Sequence, residues 1–306
     1  MCKNQPKVAV MMASYNGEKY IGCQIDSILN QTYDNIELYV RDDGSTDGTR
    51  DILADYAAKH ANVHVILGEK NLGYPGCFYA LTDRTDIEAD YYAFSDQDDM
   101  WYEDKIARAV EVLEGQEQSG VLSYYAGYDI CDGELNKVRA SAPVKGQIKF
   151  KDTLFDVCGL EFTMVINRAA LLLLAENKPR KANARGTWMS MLFSAFGTVI
   201  YDNRSVAAYR KHGENVTNGK TNKLSQWGWR IKNFFFGGFD SYRLILEDFC
   251  ICCGRKLPKK EYRILRNFTR RKYLPYVLTK VFFPHRLRRG LADELALRFV
   301  FLIGRL

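Results

Sequence analysis

The sequence predicts an α/β protein: a mixed, mainly parallel sheet with helices on both faces, followed by a helical, basic C-terminal extension. Three observations carry this. Short apolar runs alternate with amphipathic segments in the first half, polar strings follow each of the first four apolar runs, and charge is divided unevenly between the two ends. With 306 residues and 47% hydrophobic side chains, the chain can bury a substantial core.

"KVAVMMASY" reads as a buried strand, and Ile21, Ile25, Ile28 and Leu29 then fall on one helical face. "NIELYVRDD" is the next strand, after which Asp47 caps a helix carrying Ile52, Leu53, Tyr56 and Ala57. "NVHVIL" is the third strand. A turn at "NLGYPG" and a short helix lead to "DYYAFS", the fourth, and to a helix with Ile106, Val110 and Leu113 inward. Further on, "VLSYYAGYDI", "EFTMVIN" and "GTVIYD" read as strands, with "AALLLLAEN" and "WMSMLFSAF" as helices. The predicted domains are 1–221 for the sheet and 222–306 for the helical remainder.

In such a sheet, ligands bind beyond the carboxyl ends of the strands. "SYNG", "DDGSTD", "EKNLG" and "SDQDD" follow the four strands in turn, so four loops converge on one crevice. The last is the most demanding, because Asp96, Asp98 and Asp99 repel one another unless a positive charge lies among them. On an extended backbone, residues two apart face the same way, so Asp96 and Asp98 present oxygens to one point while Gln97 faces elsewhere. A magnesium or manganese ion held by two carboxylates and a nucleotide's phosphates answers that charge. The plainer alternative is that Asp98 or Asp99 caps the helix beginning near Trp101. No G-x-G-x-x-G follows the first strand, which disfavours a dinucleotide. "GENVTNGKT" misses the phosphate-loop spacing, with five residues between Gly213 and Gly219 where four are needed.

"VMMASYNGEKYIGCQIDSILNQTYDNIELYVRDDGSTDGT", with "NLG" and "FSDQDDMW" at their present distances, closely resembles family 2 glycosyltransferases, especially bacterial rhamnosyltransferase-like members. The resemblance spans roughly residues 7 to 220. It implies a GT-A (Rossmann-like) fold and a nucleotide-diphosphate sugar as donor. By position it assigns Ser14, Tyr15 and Asn16 to the nucleotide pocket, Asp43 with Asp42 to the pyrimidine and ribose, and Asn71 to a further donor contact. Asp96 and Asp98 match the family's D-x-D metal site, with Asp98 and Asp99 assigned to the catalytic centre. "AYRKHGENVTNG" makes His212 the equivalent of a His that completes the metal or diphosphate contacts, and Arg210, Lys211 and His212 form a cationic cluster suited to a diphosphate.

The resemblance fails at one position. Inverting transferases need a base to take the acceptor's hydroxyl proton, and the family places an Asp just before a Trp at the head of a helix. In "NARGTWMSMLFSAFG", Gly186 and Thr187 stand there. Glu161 and Asp202 are the nearest substitutes by family position. Three function classes remain open: an active hexosyltransferase, a nucleotide-sugar-binding accessory subunit, and a nucleotidyltransferase. The last is disfavoured because "ASYNGEKY" lacks a Gly-rich basic loop.

Residues 255–306 hold fifteen Lys or Arg against Glu261, Asp293 and Glu294, about +12 of a formal total of +6, leaving about −6 on the rest. "KLPKKEYRILRNFTRRKYLPYVLTKVFFPHRLRRG" interleaves these cations with aromatic and aliphatic residues, which suits an anionic membrane surface carrying a lipid-linked acceptor. A helical bundle is the second reading, and no nucleic-acid motif is present. Phe282, Phe283, Phe299 and Phe301 are the alternative contacts of a homo-oligomer. Eight scattered cysteines argue for a reducing compartment, and "MCKNQPKVAVMM" enters a strand without an export pattern. The expected location is the cytoplasm, peripheral at the inner face of the cell membrane.

Overall fold

The computed structural model describes residues 5–212, 240–270, 274 and 276–306. The chain forms two compact units, residues 1–147, 159–176 and 197–212 in the first and 148–158, 177–196 and 213–306 in the second. The expected boundary at 221–222 lies outside the described residues. Two segments expected with the sheet, 148–158 and 177–196, belong to the second unit. Their aromatic side chains explain this: Phe150 and Trp188 pack on Phe249 at ring separations of 5.9 and 5.2 Å, and Phe155 packs on Phe268 at 5.3 Å.

The described residues of the first unit form nine strands, β1 (Val8–Ser14), β2 (Ile36–Asp42), β3 (Val63–Leu67), β4 (Tyr91–Ser95), β5 (Met100–Trp101), β6 (Val121–Cys131), β7 (Lys137–Ala140), β8 (Val165–Asn167) and β9 (Gly197–Arg210). They form one sheet in the order β3-β2-β1-β4-β8-β6-β9-β5, with β7 beside β6. Strands β1 to β4 pair in parallel through Val8↔Ile36, Leu38↔Val63 and Val8↔Tyr91. Strand β8 runs antiparallel to both β4 and β6, so the sheet is mixed, as expected.

Val8 to Met12 are fully buried, as a central parallel strand covered on both faces requires. Each such large apolar side chain contributes roughly 1.5–3 kcal/mol. Helices α1 (Ile21–Leu29), α2 (Thr49–Lys59), α3 (Gly73–Thr82), α4 (Lys105–Glu114) and α5 (Arg168–Glu176) accompany the sheet. In α4, Lys105, Ile106, Ala109, Val110 and Leu113 are buried at helical spacing. Because β2 and β3 lie on one side of β1 and β4 on the other, the strand order reverses between the parallel strands β1 and β4, where such sheets open a ligand crevice.

The second unit is helical where described, with α6 (Arg185–Phe196), α7 (Asp240–Cys253), α8 (Lys259–Thr269), α9 (Tyr276–Val281) and α10 (Leu291–Leu302). Asp248, buried in α7, accepts the N–H groups of Arg180, Lys181 and Ala182 at 2.8, 2.8 and 3.0 Å. Cys253 is buried, and the described cysteines are free thiols. Phe301, expected as an oligomer contact, is instead core: it packs on Phe155 and Phe268. Phe282 is 75% exposed. No helix of the described residues is long and apolar enough to cross a membrane.

Candidate functional site

Four loops meet beyond the carboxyl ends of β1 to β4, held by side chains that bond to the neighbouring loop's backbone. Between the first and second loops, the Asn16 N–H donates to Ser45 Oγ at 2.9 Å, Gly17 N–H to Thr49 Oγ1 at 2.8 Å, and Thr46 N–H to Asn16 Oδ1 at 2.9 Å. Asn16 has a φ of 47°, in the left-handed region that Asn tolerates best among residues with side chains. Between the second and third loops, Asp43 accepts the N–H groups of Leu72, at 3.0 and 2.9 Å, and of Gly73 at 2.7 Å.

The fourth loop is joined to the first by Gln97. Its Oε1 accepts the Tyr15 N–H at 2.8 Å and its Nε2 donates to the Tyr15 carbonyl at 2.9 Å. Tyr15 itself is 47% exposed, and Asn71 is exposed on the third loop. Ser14 is buried, its carbonyl accepting the Asp43 N–H at 2.7 Å.

Asp42 and Asp43 differ from expectation in being buried. Asp42 accepts from the N–H groups of Gly44 and Ser45, the Ser45 hydroxyl and Arg50 Nε. Burial raises its pKa, but these donors outweigh that and hold the carboxyl below the usual range. Asp42 therefore braces its turn instead of facing a ribose. Asp43, whose side chain keeps slightly more exposure, is ion-paired with Arg41.

The acid cluster is split. After β4 the chain bends at Gln97 and Asp98, so the extended-strand geometry expected for Asp96 and Asp98 is lost. Asp98 Oδ2 lies 2.8 Å from His212 Nε2, and the His212 ring lies on Tyr20 at 4.6 Å. Among the described residues, no three His, Cys, Asp or Glu side chains come together as a metal site, so the expected trio Asp96, Asp98 and His212 is corrected to a joined pair, Asp98 and His212. The pair fits a magnesium or manganese ion that takes one or two protein ligands and completes its shell with phosphate oxygens and water.

Asp99, expected in the catalytic centre, is withdrawn from it by burial: it is 1% exposed and accepts the Arg210 N–H at 3.2 Å. Burial, then the charges of Asp96 and Asp98, push its pKa well up. Lys105 is equally buried, its Nζ donating to the Phe162 carbonyl at 2.5 Å and standing 3.1 Å from the centre of the Trp101 ring. Burial pushes the Lys105 pKa down, opposed by Asp99 and Asp96. Lys105 thus lies buried beside the cluster, held by the Phe162 carbonyl and the Trp101 ring. A lysine on the apolar face of α4 was the signal for it. The capping alternative is not realised, since α4 begins after Asp104.

Arg210 also differs from an open anion hook. It is 7% exposed; its Nε donates to the Asp98 carbonyl at 3.0 Å and its Nη1 to the Gly133 carbonyl at 2.8 Å, with the guanidinium 4.8 Å from the Tyr20 ring centre. It braces the acid loop from behind.

The two substitute bases separate clearly. Glu161 sits in a single 3-10 turn, Glu161–Thr163, that continues the β8 edge alongside β4, and accepts the Tyr74 hydroxyl at 3.3 Å. Asp202 is corrected. It pairs with Arg108 and accepts the Tyr124 hydroxyl at 3.2 Å and the Arg204 N–H at 3.0 Å. Burial raises its pKa, but Arg108 and the other donors carry it below the usual range, so it is a poor base. It is also distant: its β6 partner Ala126 precedes Cys131, the partner of Arg210, by five residues, roughly 17 Å of strand. Gly186 and Thr187 lie in the first turn of α6.

Residues 9–173 match the family model described as glycosyl transferase family 2. The putative teichuronic acid biosynthesis glycosyltransferase TuaG of Bacillus subtilis is 29% identical over 71% of this chain and 83% of that protein. The dTDP-rhamnosyl transferase RfbG of Shigella flexneri is 31% identical over 67% of this chain and 72% of its own. Among solved structures, S. aureus TarS 1-349 superposes with a TM-score of 0.58 at 17% identity, covering 97% of this chain and 80% of that one. The mannosyltransferase PcManGT of Pyrobaculum calidifontis, in complex with GDP-Man and Mn2+, gives a TM-score of 0.54 at 16% identity, covering 98% and 75%. These likenesses establish a GT-A-type sheet.

Proposed function

This chain belongs to glycosyl transferase family 2 and is a glycosyltransferase, and from that premise we propose that it moves one sugar, rhamnose or another hexose, from a nucleoside-diphosphate donor onto a saccharide or lipid-linked acceptor of a surface polysaccharide, with inversion. The observation that carries this reading is the convergence of the Tyr15, Asp43 and Asn71 loops with the Asp98–His212 pair at the β1–β4 reversal. The names of TuaG and RfbG support the polysaccharide context.

In this reading Tyr15, Asn16 and Asn71 receive the nucleoside, and Asp43 holds the second and third loops together beneath it. Asp98 and His212 hold a manganese or magnesium ion. When bound, that ion offsets charge developing on the leaving diphosphate. Arg210 and Lys105 keep the acid loop in place. Glu161 receives the acceptor hydroxyl's proton on a carboxylate oxygen, with the Tyr74 hydroxyl orienting the carboxylate. Inversion follows if the acceptor oxygen attacks the face opposite the departing diphosphate.

Outside the sheet, Lys259, Lys260, Arg263 and Arg266 of α8 and Leu278, Phe282, Leu291 and Leu295 are exposed. A cationic and apolar surface of this kind supports peripheral attachment to an anionic membrane. A second reading, a donor-binding accessory subunit, draws on Gly186 and Thr187 replacing the family's Asp. Product analysis after incubation with UDP-, dTDP- and GDP-sugars and manganese separates them. Free nucleoside diphosphate is the expected product, pyrophosphate would indicate nucleotidyl transfer, and no product alongside clear donor binding would favour the accessory reading.

A further inference from the structure

We propose that Gln97, the residue between the two acids of the D-x-D segment, is a positioning residue that couples cation binding on the fourth loop to nucleoside binding on the first. The inference rests on the donor-site reading above.

The last backbone register between β1 and β4 is Met12↔Ser95; beyond it the Gln97 side chain takes over the pairing. One carboxamide both accepts from and donates to the same residue, at 2.8 and 2.9 Å, as a neighbouring strand would. Only an uncharged amide at this reach does both. A glutamate keeps the acceptor but sets a charge against the Tyr15 carbonyl. Asparagine is a methylene short, and methionine loses both bonds.

Gly17 supplies the space. A Cβ there would stand 2.3 Å from Gln97 Oε1 and 2.6 Å from its Cδ, so the amide lies flat against the Gly17 backbone. The same stretch is tied to the second loop by Asn16 and Gly17, and it presents the exposed Tyr15 ring. Gln97 is covalently joined to Asp98, the cation-holding member of the pair with His212. A shift of the acid loop on binding a cation is therefore delivered directly to the backbone that presents Tyr15. By linkage the effect is reciprocal: if the cation tightens nucleotide binding by some factor, nucleotide tightens cation binding by the same factor.

The test uses the full chain and titration calorimetry with MnCl2 alone, UDP or dTDP alone, and each nucleotide at saturating MnCl2. The readout is the ratio of nucleotide affinities with and without the cation. Gln97→Glu and Gln97→Met are expected to lower this ratio by at least about fivefold while leaving affinity for Mn2+ alone within about twofold, a split that general destabilisation does not produce. Gly17→Ala is the second variant, since it displaces the amide without altering it and is expected to lower the same ratio. An unchanged ratio in folded Gln97 and Gly17 variants would overturn the coupling and leave the donor-site reading intact. Failure of the wild-type chain to bind any nucleotide would overturn both.

Discussion

Replacing Lys105 by methionine tests how the acid cluster is made tolerable. The Lys105 side-chain nitrogen is fully buried, donates to the Phe162 carbonyl at 2.5 Å and faces the Trp101 ring. Methionine keeps the length and fills the volume, so the loss is electrostatic. The Phe162 carbonyl is left without this donor, at about 1–3 kcal/mol, and Asp99 loses the favourable influence of Lys105 while Asp96 and Asp98 remain. A net loss of about 2 kcal/mol is expected in urea unfolding followed by tryptophan fluorescence. Adding Asp99→Asn in the same chain removes the acid on which Lys105 acts and is expected to restore at least about 1 kcal/mol relative to additivity. A Lys105→Met variant within about 0.5 kcal/mol of wild type, the range of an ordinary surface change, would refute the role assigned to this lysine.

Asp202→Asn is expected to cost about 1–2 kcal/mol near neutral pH through the weakened Arg108 pair. Because the folded carboxyl lies below its unfolded value, the wild-type advantage is present above about pH 4 and fades as pH falls through the folded pKa; urea midpoints at several pH values would show this, and a constant difference would contradict it. Asp248→Ala leaves three N–H groups without their acceptor, one of them on buried Ala182, and is expected to cost about 1–3 kcal/mol, read by thermal unfolding. Glu161→Gln is expected to lower kcat by about 100-fold or more with donor affinity unchanged, and retention of activity would remove Glu161 as the base.

The four parallel strands and their polar loops were legible because β1 and β4 are apolar runs, β2 and β3 are β-branched and apolar at alternate positions, and each loop is a string of polar residues. Strand β7 was not legible: Lys137–Ala140 is exposed along its length and carries no buried period. Nor was β5, only two residues long, which forms because β9 lies beside it. Asp98 and His212 were correctly read as neighbours. The alternating geometry that grouped Asp96 with Asp98 failed because the chain bends after β4. The roles of Gln97, Arg210 and Asp202 depend on partners 82, 112 and 94 residues away, and no local pattern encodes those pairings.

The most direct test is calorimetric titration of UDP and dTDP into wild-type protein and Asp98→Ala, with and without MnCl2. Manganese should tighten nucleotide binding by the wild-type chain and have no effect on the variant. Equal, manganese-enhanced binding by both proteins would mean that the cation is held elsewhere, and that the crevice between β1 and β4 does not position a donor's diphosphate through Asp98.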